Sequence, residues 1–308
     1  MANPVTKITL GIDVAKDKHD IYNWQTGKLT TLANERSVIK AWLKTFHGPV
    51  QIAIEPTSHY HLVMVEEAHA LGYEVYLINP RQLVHYRQAV NVRNKTDALD
   101  AWLLARYLER EGGQLRPFKP QDPRAQRLWQ LILRRSTVVK SRQQLRQSLA
   151  DVQLPIKALL TQFQQLLDRI DRQVINLIKE LGWWSDYLFC FSIPGIGLCN
   201  ASALVAAFHR GSFSGSDAFV SYLGLDVRIR ESGHYKGRRK LTKRGEPELR
   251  RLLYCASHPA RQYHRFADYF QMQLEKGLSK TAARVILSRK LARIAFTLMR
   301  NEEMFMKH

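Results

Sequence analysis

The chain has 308 residues, with 47 lysines and arginines against 27 aspartates and glutamates, and a formal net charge of +20. Hydrophobic residues make up 45% of it and charged residues 24%, which excludes a wholly disordered chain. Its length predicts roughly two domains, at about 100–200 residues each. Three cysteines (Cys190, Cys199, Cys255), with no Cys-x-x-Cys pair, exclude a disulfide framework and predict a reducing, cytoplasmic setting. The first twenty residues lack the apolar core of a signal peptide, and no apolar run approaches the ~20 residues that span a bilayer, so no membrane partner is expected. The positive charge must face something anionic. Nucleic acid is the expected partner, because neutralised phosphates release counterions and unoffset self-repulsion is costly. A basic but unspecialised surface is the plainer alternative.

The N-terminal third alternates strands and helices. Ile8-Thr9-Leu10-Gly11-Ile12 is a β-rich run ending at Asp13, and 19–24 and 28–32 read as two further strands around a Gln25-Thr26-Gly27 turn. Helical spacing covers 37–45, a fourth strand 50–54 runs into Glu55, and a helix over 61–71 closes at Gly72. A fifth strand follows over 73–78, Pro80 starts a helix, and 97–108 is another. Early hairpins followed by strand–helix alternation describe an α/β layer with a mixed sheet.

The middle differs in kind. Between Asp122 and Asp151 stand seven basic residues (Arg124, Arg127, Arg134, Arg135, Lys140, Arg142, Arg146) and no acid. Beyond Leu154-Pro155, the series Ile156, Leu159, Phe163, Leu166, Ile170 and Leu177 follows the three/four spacing of a coiled-coil seam. Two such helices joined at a proline predict an antiparallel hairpin or an oligomerising stalk. After Gly182, Ile193-Pro194-Gly195-Ile196-Gly197 reads as the turn of a helical hairpin, either a plain turn or one presenting backbone N–H groups to a phosphate. From Arg228 to Arg251 there are ten basic residues and three acids, and 280–300 is a last amphipathic helix.

Two features carry chemistry. Asp13 and Glu55 each end a strand, where an acid is expensive unless solvated or bound to a cation. Asp97 and Asp100, three apart at a helix start, share a face. Together these acids suit hard cations, which prefer oxygen ligands, and two such ions would act on a phosphodiester. Singly, each has a plain reading, such as Asp97 favouring a helix N-terminus. Gly11-Ile12-Asp13 also opens actin-like ATPases, but Lys16-Asp17-Lys18 follows in place of their glycine-rich phosphate loop. The second feature is Ser232, next to Gly233 and flanked by cations. A hydroxyl needs activation to attack, and guanidinium groups stabilise a transferring phosphoryl group. Spacing alone favours the plainer reading, a basic loop holding a nucleic-acid backbone.

These residues resemble the DEDD-type transposases of the bacterial insertion-sequence "one-ten" family, which includes the Piv pilin-gene invertases. The matching motifs are Gly11-Ile12-Asp13-Val14-Ala15-Lys16, Ile54-Glu55-Pro56-Thr57, Ile78-Asn79-Pro80 and Arg93-Asn94-Lys95-Thr96-Asp97-Ala98-Leu99-Asp100-Ala101. Further along they are Ile193-Pro194-Gly195-Ile196-Gly197, Tyr222-Leu223-Gly224-Leu225, Glu231-Ser232-Gly233 and Thr242-Lys243-Arg244-Gly245. Thr242 stands where serine is common, and His234-Tyr235 replace small residues.

The resemblance implies an α/β RNase H-like (RuvC-like) mixed-sheet nuclease domain over 1–115, a helical coiled-coil stalk over 116–182 and a mainly α transposase domain over 183–308. It implies that Asp13, Glu55, Asp97 and Asp100 hold Mg²⁺, two ions per site, and that Ser232 joins covalently to DNA. It further implies a structured guide RNA, donor and target double-stranded DNA, and a tetramer. Arg124, Arg127, Arg134, Arg135, Arg228, Arg230, Lys236, Arg238, Arg239, Lys243 and Arg244 are the expected nucleic-acid contacts. The alternatives are an invertase or junction nuclease using metal-activated water, and a non-catalytic RNA-binding scaffold.

Overall fold

The computed structural model describes residues 7–306 apart from 93, 95, 121, 153, 229–230, 233–234 and 238–239. For Glu231, Ser232, Tyr235 and Lys236 it describes the backbone alone. The chain divides into two compact units, Met1–Pro120 and Gln121–His308. Among the described residues no helix is long and apolar enough to cross a membrane.

The first unit comprises β1 (Ile8–Val14), β2 (Lys18–Asn23), β3 (Leu29–Ala33), α1 (Arg36–Leu43), β4 (Val50–Ile54), α2 (Leu62–Ala70), β5 (Glu74–Leu77), α3 (Pro80–Ala89) and α4 (Asp97–Glu111). Its five strands lie in the order β3-β2-β1-β4-β5. The first three are antiparallel neighbours, and β1, β4 and β5 run parallel. This is the mixed sheet that the alternating pattern predicts.

Alternation along β1 divides its side chains between two layers. Leu10, Ile12 and Val14 join Ile39 and Leu43 of α1 and Met64, Val65 and Ala68 of α2 in one core. Thr9, Gly11 and Asp13 point the other way, toward α4. The Thr9 hydroxyl donates to Glu109 near the C-terminal end of α4 at 2.6 Å. At Gly11 a Cβ would lie 2.0 Å from the Ala101 carbonyl oxygen and 2.3 Å from the Ala105 nitrogen. The helix therefore rests its backbone directly on the strand, an approach only glycine permits. One difference from the sequence reading follows from the pairing: β1 runs on to Val14, so Asp13 lies within the strand and not beyond its end.

The second unit is mostly helical: α5 (Pro123–Ser148), α6 (Lys157–Glu180), α7 (Trp184–Phe191), α8 (Leu198–Phe208) and α9 (Ser216–Tyr222), then four two-residue strands, then α10 (Pro247–Ala260), α11 (His264–Glu275) and α12 (Lys280–Asn301). The strands are β6 (Val227–Arg228), β7 (Glu231–Ser232), β8 (Tyr235–Lys236) and β9 (Lys240–Leu241). They pair as two small ladders that sequence pattern did not announce, because their glycines and cations show no two-residue alternation. Helices α5 and α6 form an antiparallel hairpin. Its seam closes over Leu167, Ile170, Val174, Leu177 and Ile178, while Leu159 and Leu166 stay 42% and 45% exposed. The turn at Gly195 has φ +88° and sits against the Ala260 backbone of α10, which explains the glycine by packing.

The contact at Gly11 generates a direct expectation. Gly11→Ala should displace α4 and destabilise the protein by roughly 3 kcal/mol or more, the range of severe overpacking. Denaturant unfolding would measure it, and a loss below about 1 kcal/mol would show that the helix yields without penalty.

Candidate active site

The pairing of the sheet assembles the acids. On parallel strands β1 and β4, Ile12 faces Ile54, so Glu55 follows directly beside Asp13. Two residues along β1 from Gly11 is about 6.6 Å, and the five residues of α4 from Ala105 back to Asp100 cover about 7.5 Å. The first turn of α4, carrying Asp97 and Asp100, is thereby brought over Asp13. Thr96 caps this helix, its hydroxyl accepting from the Leu99 N–H at 3.3 Å.

The consequence shows in the chemistry of Asp13. Its burial raises its pKa, and the charges of Asp100, Asp97 and Glu55 add to the rise, from 3.8 to about 6. All four acids predicted from sequence thus meet in one electrostatic neighbourhood. Their oxygens are hard donors that suit a divalent cation of the magnesium type. As placed, however, no group of three or more acid, histidine or cysteine side chains among the described residues stands ready to hold an ion. Asp100 is ion-paired with Arg87 of α3, and Asp97 lies 3.4 Å from the Lys18 ammonium. Ligation by all four would require those two carboxylates to exchange partners.

Three neighbours escaped the sequence reading. Asp20 lies opposite Asp13 on β2 and is 6% exposed. Burial works against its charge, but hydrogen bonds from Lys18 and Thr31 more than offset this and hold its carboxyl below the usual range. The length of the hairpin turn sets this pairing and was the available signal. Arg87 arrives from a separate helix and gave none. Asn34 donates through Nδ2 to the carbonyls of Ala15, Lys16 and Tyr60 at 3.2–3.3 Å, tying the turn after Asp13 to the loop after Glu55.

The serine lies in the second unit. Ser232 pairs with Tyr235 in the β7–β8 ladder. The loop that carries it is closed below by β6 and β9, with Val227 opposite Leu241 and Arg228 opposite Lys240. Beneath that, the Thr242 hydroxyl donates to Asp226, and its N–H bonds the Asp226 carbonyl at 3.0 Å. Gly224, at φ +69°, comes so close to Gly245 that a Cβ would lie 2.4 Å from the Gly245 nitrogen. Two glycine motifs separated by the basic loop therefore meet backbone to backbone at its root. Glu248, in the first turn of α10, accepts from Ser136 of α5 and Arg251, which ties the root to the helical hairpin.

The expected nucleic-acid contacts divide. Arg127, Arg134, Arg228, Lys243 and Arg244 are exposed and make no ion pair among the described residues. Arg124 is paired with Asp122 and also donates to the Glu180 carbonyl, while Arg135 is held by Asp171 through two hydrogen bonds. Arg230, Arg238 and Arg239 lie outside the described residues, as does the side chain of Lys236.

A family model described as "Transposase" matches residues 10–154, which hold all four acids. A second, described as "Transposase IS116/IS110/IS902 family", matches residues 190–271, which hold Ser232. The chain belongs to this transposase family. It is accordingly an enzyme of DNA recombination. Similar proteins include the pilin gene-inverting proteins of Moraxella bovis, 26% identical, and Moraxella lacunata, 25% identical, each over 98% of this chain and 99% of that protein.

Asp13 supplies a pH test of this transposase. Its carboxyl is harder to ionise in the folded chain than in the unfolded one. The fold is therefore penalised increasingly as pH rises from about 4 to about 6 and fully above that, and the penalty is gone below the unfolded value near 4. Asp13→Asn should raise stability at pH 8 by about 1 kcal/mol, after allowance for solvent screening of a partly exposed carboxylate, and by almost nothing at pH 4. Thermal melts at the two pH values would show this, and an equal effect at both would detach Asp13 from the acid group.

Proposed function

We propose that the protein is an RNA-guided, Mg²⁺-dependent recombinase that cleaves and rejoins donor and target DNA through a covalent phosphoserine intermediate on Ser232. The observation that supports it most is the convergence of Glu55, Asp97 and Asp100 on Asp13. In this reading the N-terminal unit is a RuvC-like nuclease domain, and Asp13, Glu55, Asp97 and Asp100 hold the metal. Bound magnesium supplies electrostatic stabilisation of the reacting phosphate and the leaving oxygen.

The chain's own groups do the rest. The Ser232 hydroxyl attacks a DNA phosphate. A serine–phosphate ester forms as the bond to the departing deoxyribose oxygen breaks, and the serine proton ends on that oxygen. Attack by a hydroxyl of a second strand reverses the exchange and releases the serine. One phosphodiester-type bond replaces another at each step, so rejoining needs no nucleotide triphosphate. Arg228, Arg230, Lys236, Arg238 and Arg239 steady the phosphate by charge, while Arg127, Arg134, Lys243 and Arg244 hold nucleic-acid backbone. Base pairing by the guide RNA selects the sequence, as in other guided systems. A tetramer brings donor and target together, with the exposed Leu159 and Leu166 of a coiled-coil stalk facing another chain.

The names of the Moraxella relatives favour a second physiological outcome, DNA inversion, by the same chemistry. Both outcomes share one test. With Mg²⁺ and a DNA substrate, wild-type protein should yield a denaturation-resistant protein–DNA adduct, and strand exchange should fall at least about a thousandfold in Ser232→Ala. Adduct formation by Ser232→Ala would overturn the serine's role. Strand exchange by Asp13→Asn at the wild-type rate would overturn the metal site. Sequencing of RNA that copurifies should return one discrete species, whereas random cellular RNA would overturn guidance.

A further inference from the structure

Helices α5 and α6 face each other through a repeated cross-helix pair. At one rung Arg135 of α5 grips Asp171 of α6, with Nε and Nη2 donating to the two carboxylate oxygens at 2.5 and 3.0 Å. Seven residues further along each helix, two turns toward the tip, the geometry recurs with Arg142 and residue 164. There the partner is Gln164, whose Oε1 accepts from Arg142 Nη1 at 2.6 Å. The arginine is kept and the acid is replaced by a neutral amide. A guanidinium stays charged at any accessible pH, so the second rung carries a full positive charge that the first has neutralised. Gln164 is fixed in this orientation, because its Nε2 donates to Asp168 at 2.8 Å.

Around that rung lies a cleft of about 410 Å³, lined by Arg142, Gln143, Arg146, Lys157, Leu160, Thr161 and Gln164. Arg146 is one turn beyond Arg142 on the same face of α5, and Lys157 comes from the first turn of α6. Among the described residues none of these three cations makes an ion pair, and no acid lines the cleft. Three positive charges on two helices repel one another unless an anion joins them, and the Asp168 carboxylate reaches Arg142 only through the Gln164 amide. Amides and a hydroxyl between them add neutral hydrogen-bonding groups, and the cleft is open to an extended chain at the exposed end of the hairpin.

We propose that this cleft binds the phosphodiester backbone of a nucleic acid, with Arg142, Arg146 and Lys157 as its phosphate ligands. It adds to the transposase a binding site remote in sequence from both the acids and the serine loop. The chemistry recognised is the phosphate, which RNA and DNA share.

Full-length protein is titrated with a structured RNA and, separately, with duplex DNA, each over a range of salt concentrations. The triple variant R142Q/R146Q/K157Q should bind more weakly and reduce the slope of log affinity against log salt by about 2–3, near 0.7–0.9 for each phosphate that is no longer neutralised. A second variant tests the rung itself. Gln164→Glu restores the acid of the first rung but gives up the hydrogen bond to Asp168, so it should lower affinity several-fold while a melting curve checks that the protein is still folded. Weakening confined to the RNA arm makes RNA the ligand, and weakening confined to the duplex arm makes DNA the ligand. Weakening in both marks a shared phosphate site. Unchanged affinity and salt slope in both arms for the folded Gln164→Glu protein would overturn the proposal. If that variant melts early, the triple variant's salt slopes decide in the same way.

Discussion

One contact governs the first unit: a helix laid backbone-to-backbone on a strand, made possible by the missing side chain of Gly11. Thr9, Gly11 and Asp13 form a row along β1, and α4 meets that row from Glu109 at one end to Asp100 and Asp97 at the other. Any larger residue at the middle of the row would lift the helix and carry its two acids away from Asp13. The acid cluster is thus a consequence of packing before it is a matter of charge. Gathering four carboxylates is unfavourable in itself, and their charges add to the burial that raises the pKa of Asp13. Arg87 and Lys18 offset part of it from outside the row.

The second unit uses the same device for another purpose. Gly224 and Gly245 let two chain segments touch at the root of the basic loop, and Asp226 with Thr242 locks the contact. Arg250 adds a hydrogen bond to the Gly245 carbonyl from within α10. The result is a narrow stem that holds Ser232 on a short ladder within the basic loop. Threonine in place of serine at 242 keeps the hydroxyl that the stem needs, so that departure from the family pattern leaves the stem's chemistry intact.

Much of this was legible in the sequence, and the parts that were not share a physical cause. The five strands followed from their β-rich runs and the turns between them; Glu55 after a strand and Asp97 and Asp100 at a helix start stand where the sequence placed them, while Asp13, read as ending its strand, lies one residue inside it. Asp20 and Asn34 were missed because their importance lies in cross-strand register and in loop-to-loop contact. Arg87 was missed because its partner is set by how two helices pack, which no local pattern encodes. The same holds for Arg124 and Arg135, which count as basic residues in a composition but are already spoken for by Asp122 and Asp171. Glycines read as parts of strands, turns and motifs proved to be packing surfaces at Gly11, Gly195 and Gly245.

The two-rung hairpin sets a rule of phase for how such a chain can change length. Seven residues return a helix to nearly the same face, whereas an insertion of five turns the distal segment by more than a third of a revolution. Lengthening or shortening the hairpin would therefore keep Arg142 opposite Gln164 only when both helices change together by about two turns. Reach and chemistry at the tip are coupled, and the hairpin can be extended in steps but not continuously.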